Sequence, residues 1–365
     1  MKDFIETTWT YFHEHPELGF EEFATTKHIV ELLEGFGYAP KVFPAGTGAV
    51  AVLDSGCPGP VLGLRADIDC LAFTTDGKVE KYHACGHDGN ITMLLAAAKQ
   101  LKEDGIKRGK VYFIFQPAEE TLKGSLSVIE SGYISDMEEI VGMHLQPDQE
   151  EQYGHAAPRL LHKSYGRVEV TVHGRNAHAS LPYLGINATE AGVQIVNAVN
   201  CIRCDARSPY SCKVTIFKAD GSSHNTIPDK ALLVFDIRAD TNDTMSQIME
   251  KLKIAAEHAA ASVGATAEIS DEVICYSASY DPVLCDEVKS VLCDVLGEEQ
   301  VRDACPATTS EDFHNYSNQM GAKAAYISLG ASFTPFLHAN HSFFNHDALL
   351  SGAKIWIGVA HKRLG

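Results

Sequence analysis

Three stretches in succession, Val61–Leu64 (VLGL), Thr92–Leu101 (TMLLAAAKQL) and Val111–Phe115 (VYFIF), decide the fold. The first and third are short, wholly apolar runs, as expected of strands buried on both faces. The second is apolar on most sides and reads as a packed helix. Two more apolar runs, Ile140–Met143 (IVGM) and Ala325–Leu329 (AYISL), continue the alternation. Strands alternating with helices predict an α/β domain whose mostly parallel sheet is flanked by helices. The chain has 365 residues, beyond the ~250–300 at which a single core stops growing, so a second domain is expected.

The second domain is legible between residues 165 and 275. Arg167–His173 (RVEVTVH) alternates and reads as a strand; Ala188–Arg203 is helical; Lys213–Ala219 and Ala231–Arg238 are strands; Met245–Ser262 is helical; Ala265–Ile269 is a short strand. The order β-α-β-β-α-β is an α+β unit inserted into the first domain. We therefore expect a discontinuous catalytic domain, 1–164 and 276–365, and an inserted dimerisation or lid domain, 165–275. A four-stranded sheet with helices on one face leaves an edge open for pairing, which predicts a homodimer.

Composition narrows the partners. Lys+Arg number 30 and Asp+Glu 48, a formal charge of −18. That surface repels phosphate backbones and anionic membranes, so neither nucleic acid nor membrane is expected as a partner. No run approaches the ~18–20 apolar residues of a transmembrane helix. The opening MKDFIETTWTYFHEHPELGF lacks a signal-peptide pattern. A cytoplasmic location follows as the expectation, with the ten cysteines as reduced thiols.

The polar residues collect where open α/β sheets place their chemistry, beyond the carboxyl ends of the strands. VLGLR runs into Asp67 and Asp69, VYFIFQPA into Glu119 and Glu120, IVGM into His144, and AYISLGASFTPFL into His338. HACGHD sets Cys85, His87 and Asp88 just before the TMLLAAA helix. Cysteine, histidine and glutamate together suit zinc or a similar borderline divalent ion. Taken alone, Cys85 reads sooner as core filler and His87 as a helix cap; coincidence with the other strand ends reverses that in favour of ligation. Two adjacent glutamates repel unless positive charge is near. One can bind metal while the other takes a proton from activated water.

Other motifs carry less. His13-Glu14-His15 lies on an amphipathic N-terminal segment. Cys201–Ile–Arg–Cys204 sits at a helix end, the wrong end to activate a dithiol. Gly46-Thr47-Gly48 is no phosphate loop, and no Gly-x-Ser-x-Gly elbow is present.

RADIDCLAF, HACGHD, FQPAEE, GMHLQP, NAHASLPYLGINA and SEDF (Ser310–Phe313) resemble the signature set of a dinuclear-metal branch of the metallopeptidases. This branch holds hippurate hydrolases, auxin-conjugate hydrolases and N-acyl-amino-acid amidohydrolases, and is related to aminoacylase. HEHPELGFEE resembles its opening motif, and the matches run from about residue 13 to 349. The resemblance implies Cys85, His87, Glu120, His144 and His338 as ligands of two divalent ions, Zn or Mn first and Co or Ni next. It implies Glu119 as general base and Asp69 as an orienting residue. It implies His178, reaching a neighbouring active site, as an oxyanion donor, and Asn225 and Arg238 as carboxylate binders in the substrate pocket. The expected substrate is an N-acyl amino acid or small peptide.

Several positions depart from the pattern: Asn90, the LAF after RADIDC, Leu122–Ser125 (LKGS), Tyr183, Asn187 and His346. All five ligand positions and the base are kept, so the departures bear on substrate. Two rivals to metal-assisted hydrolysis stand beside it: a metal-free Cys85 hydrolase or transferase with a histidine base, and a non-catalytic relative that binds acyl amino acids.

Overall fold

The computed structural model describes residues 1–75, 77–307 and 309–365. The chain divides into two compact units: one of Met1–Leu161, Ala278–Ala307 and Glu311–Gly365, the other chiefly His162–Ser277.

The first unit is built on a seven-stranded sheet. Its order is Lys41–Val42, Ala49–Asp54, Lys110–Gln116, Val61–Asp67, Glu139–Gln146, Lys323–Gly330 and Ala156–Ala157. The four strands from Lys110–Gln116 to Lys323–Gly330 run parallel; the outer pairings are antiparallel. Every residue of Glu139–Gln146 is buried, as a strand covered on both faces must be. On one face Leu62, Leu64, Phe113, Val141 and Ile327 pack with helices His87–Asp104, Pro282–Leu296 and Asp347–Leu364. On the other, Ile114, Ile140 and Tyr326 meet Val128, Phe313 and Tyr316 from shorter helical segments.

The second unit pairs four antiparallel ten-residue strands in the order Tyr210–Ala219, Lys230–Ala239, Ser164–His173, Thr266–Cys275. Val168, Val170, Val172, Leu233, Phe235 and Ile237 point to one face and pack against Ala188–Asn200 and Asn242–Ala261. The last strand runs to Cys275 rather than stopping at Ile269, because a register shift at Glu169/Val170 lets pairing continue. Asn242–Ala261 starts three residues before Met245: the Thr241 hydroxyl accepts from Thr244 N–H and caps it.

Beneath the carboxyl ends of the parallel strands lies an uncommon core feature. Arg65 is fully buried. It donates to Asp67 (2.7 Å), Glu311 (3.0 Å), Asp312 (3.1 Å) and the Gln116 side-chain carbonyl (2.9 Å). Tyr326 donates to Glu311 at 2.7 Å, and Gln116 Nε2 to Asp312 at 2.7 Å. Removing one partner of such a network leaves uncompensated buried charge. Arg65→Met should therefore destabilise the protein by about 3–5 kcal/mol, read as a lower urea midpoint with an unchanged m-value.

Candidate metal centre

Six side chains converge at this end of the sheet from four segments. His87 is the first residue of helix His87–Asp104, one position after Gly86 in the left-handed region (φ 85°). The helix thus begins earlier than its apolar run suggests, and its first turn carries the ligand candidate. Cys85 sits just outside it. Glu119 and Glu120 open a single 3₁₀ turn, Glu119–Thr121, bracketed by Ala118 (φ 53°) and Leu122 (φ 60°), both left-handed. His144 lies inside strand Glu139–Gln146, not beyond its end. His338 lies in the loop after Gly330, itself left-handed at φ 58°.

The Cys85 thiol is 3.4 Å from His144 Nε2 and 3.2 Å from His338 Nε2. Glu120 Oε1 is 3.5 Å from His338 Nε2 and 4.0 Å from His87 Nε2. Three trios have donor atoms within 4.8 Å of one another: Cys85–His87–His144, Cys85–Glu120–His338 and His87–Glu119–Glu120. Cys85 belongs to two of them, a pattern suited to a pair of ions.

The surroundings orient these donors. His87 Nδ1 faces the Asp69 carbonyl (3.0 Å) and carboxylate (3.1 Å). His144 Nδ1 faces the Leu145 carbonyl at 2.6 Å. Each Nδ1–H donates outward, leaving the Nε2 lone pair turned to the centre, as metal-ligating histidines require. Asp69 also accepts the Glu120 backbone N–H at 2.9 Å, so its orienting role has a geometric basis. Asp67 accepts from Asn90 Nδ2 at 2.8 Å. Asn90, one of the departures from the family pattern, is thus an internal hydrogen-bond donor.

The donor set fits divalent ions on two further observations. His87 Nε2 and Glu120 Oε1 are buried without a hydrogen-bond partner, an expensive state unless a cation completes them. Burial also works against every charge here. It pushes Glu119 well above the usual carboxylate range, helped by Glu311 and Glu120, and Glu120 up to about 7. It pushes the Cys85 thiol well above its ordinary value, with Glu120 and Glu119 adding to the effect. Burial opposes charge on His87, yet Asp67 and Asp69 raise it to about 10. The pocket carries an excess of negative charge that cations would relieve.

The remaining predicted residues belong to the second unit. His178 and Asn225 lie together: Asn225 Nδ2 is 3.3 Å from His178 Nε2, and Ser180 N–H donates to His178 Nδ1 at 3.2 Å. Both are exposed. Arg238 does not join them. It stands at the other end of strand Lys230–Ala239, opposite Tyr165, paired with Asp236 at 3.1 Å and stacked 4.4 Å over the Tyr165 ring. The ten-residue strand spans about 30 Å, so within this unit Arg238 lies well away from Asn225 and His178.

Sequence reasoning gave no role to Glu311 and Asp312, although SEDF was singled out. They form a buried group with Glu119 whose oxygens lie within 4.8 Å. The signal was present: an Arg inside an apolar strand, Arg65, requires acids nearby.

Comparison with known proteins places this geometry. The profile of Peptidase family M20/M25/M40 matches residues 63–362. IAA-amino acid hydrolase ILR1-like 2 of Arabidopsis thaliana is 33% identical over 366 residues, covering 95% of this chain and 82% of the relative. Hippurate hydrolase of Campylobacter jejuni is 30% identical over 364 residues, covering 96% and 94%. A Bacillus subtilis crystal structure described as a dinuclear metal binding peptidase from the M20 family superposes with a TM-score of 0.81 at 27% identity, over 100% of this chain and 99% of that one. The profile covers most of the chain, and the chain belongs to peptidase family M20/M25/M40.

Proposed function

We propose that the protein is a metal-dependent amidohydrolase cleaving the amide bond of N-acyl amino acids or small peptides. The observation that carries this reading is the convergence of Cys85, His87, Glu120, His144 and His338, drawn from distant segments, beside the buried Glu119. The relatives' names support the substrate class: an IAA-amino acid hydrolase and a hippurate hydrolase both act on an acylated amino acid.

Cys85, His87, Glu120, His144 and His338 would hold two divalent ions. One thiolate among imidazoles and a carboxylate suits Zn or a similar borderline ion, and the family resemblance adds Mn, with Co or Ni next. Such ions acidify water and polarise the scissile carbonyl. Glu119 takes the proton as the water oxygen bonds to the carbonyl carbon. It then hands that proton to the amide nitrogen as the C–N bond breaks. His178, with its proton on Nε2, donates to the oxyanion. Arg238 binds the substrate carboxylate, the guanidinium fork matching it; Asn225, beside His178, would reach the same carboxylate only from the partner subunit. With Arg238 at one end of the sheet and His178 at the other, they serve different active sites of a dimer.

The dimer is part of the proposal. Tyr210–Ala219 is an edge strand with Ile216 and Phe217 exposed, and Val193 is exposed on Ala188–Asn200. Apolar side chains on an open edge favour pairing with a second copy. Phe217→Asp should convert a dimer to monomer in sedimentation velocity; a dimer that persists would place the interface elsewhere. A cytoplasmic location is also proposed, supported by the lack of a disulfide among the described cysteines. No helix among the described residues is long and apolar enough to cross a membrane.

The metal-free Cys85 reading has the environment against it, since a nucleophilic thiol needs a depressed pKa and Cys85 is pushed the other way. The test is hydrolysis of N-acyl amino acids and dipeptides before and after chelation. We expect chelation to abolish turnover and added Mn or Zn to restore it. Glu119→Gln should retain two ions by elemental analysis while kcat falls about 10²–10⁴-fold. Activity that survives chelation and dies on thiol alkylation would replace this mechanism with Cys85 chemistry.

A further inference from the structure

The N-terminal HPELGFEE segment, His15–Glu22, has no part in the mechanism above, yet it touches two of the chain segments around the centre. The Glu17 carbonyl accepts from Cys70 N–H at 2.9 Å, and Leu18 bridges to Cys70, just beyond Asp67 and Asp69. Gly19 lies so close to the glutamate turn that a Cβ there would sit 2.9 Å from Thr121 Cγ2 and 3.1 Å from Ala118 Cα.

Glu22 is the residue of interest. It stands at the N-cap of helix Phe23–Gly35, but its side chain makes no cap hydrogen bond. The Glu17 carboxylate takes that role, accepting from Ala24 N–H (3.2 Å) and Thr25 N–H (2.7 Å). Glu22, wholly buried, instead reaches across the chain and accepts the backbone N–H of Ala118 at 2.7 Å. Ala118 is the left-handed residue immediately before Glu119. A non-glycine residue holds that conformation only where its surroundings over-determine it.

We propose that Glu22 is a positioning residue: by holding the Ala118 N–H it fixes the strained turn that aims Glu119 and Glu120 into the centre. Two other buried carboxylates grip the same loop, Asp69 through Glu120 N–H and Asp312 through Ser125 N–H at 2.9 Å. Glu22 is the one supplied by the N-terminal segment. What the contact requires is an acceptor oxygen at the right reach, not a charge. Burial, with Asp69 nearby, already pushes the Glu22 carboxyl up to about 7.

The catalytic consequence rests on the amidohydrolase reading; the holding of the turn does not. The experiment therefore has two readouts, applied to the full chain as Glu22→Ala, Glu22→Asp and Glu22→Gln. Glutamine keeps an oxygen at the same reach; aspartate keeps the carboxyl but falls one methylene short. Hydrogen exchange of the metal-free protein, followed by mass spectrometry, should show the peptide spanning 117–122 exchanging at least about tenfold faster in the Ala and Asp variants. The Gln variant should stay within about threefold of the parent. In the loaded enzyme, Ala and Asp should lower kcat about 100-fold with KM within a few-fold and two ions retained, since small misplacements of a catalytic group cost that much. Gln should keep at least about a third of kcat. Exchange unaltered in the Ala and Asp variants, or Asp behaving as parent while Gln fails, would overturn the proposal. If Glu22→Ala does not fold, the Asp–Gln contrast decides alone. A parent enzyme with no chelator-sensitive hydrolysis would sink the functional reading and leave the exchange result to judge the turn.

Discussion

Crowding of like charge governs this molecule. Asp67, Asp69, Glu119, Glu120, Glu311 and Asp312 lie at one end of the parallel sheet, and the buried guanidinium of Arg65 is the only wholly buried arginine or lysine among the described residues. Carboxylates at such density cannot all ionise in a low-dielectric interior. Arg65 satisfies the lower layer, Asp67, Glu311 and Asp312. The upper layer, Glu119 and Glu120 with Cys85, is left short of positive charge. A protein that spends so much burial on acids has built a place for cations, and the placement of the histidines on the same rim agrees.

The same constraint explains the local backbone. Two left-handed non-glycine residues bracket the Glu119–Thr121 turn, and His338 adopts that conformation as well. Each costs of order 1 kcal/mol or more. The strain coincides with the residues that face the centre and is offset by the hydrogen bonds around the turn. Gly124 shows how tight the arrangement is: a Cβ there would come within 1.7 Å of the Pro117 carbonyl oxygen.

Much of this was legible in the sequence, for identifiable reasons. Short β-rich apolar runs such as VYFIF and IVGM read as strands buried on both faces, and acids or histidines following them fall on one rim by topology. The alternation in RVEVTVH likewise marks a strand with one covered face. What was hidden depended on side-chain reach and on pairing between distant residues. Nothing local shows that Arg65 faces Glu311 and Asp312, or that Arg238 and Asn225, thirteen positions apart, stand beyond opposite ends of strand Lys230–Ala239. Helix ends were hidden too: His87 looks like a loop residue until Gly86 turns the chain into the first helical turn.

The order in which the centre's parts occur along the chain has a consequence for biosynthesis. Cys85, His87, Glu120 and His144 are made early, the whole of His162–Ser277 intervenes, and the strand Lys323–Gly330 that pairs with Glu139–Gln146 comes near the end. A nascent polypeptide lacking its last quarter has an open sheet edge and an incomplete set of donors, with no His338 to close it. Pairings between such distant segments form slowly. Until translation finishes, the emerging thiol and imidazoles are exposed to stray transition metals, and truncated products are candidates for aggregation along the unpaired Glu139–Gln146 edge.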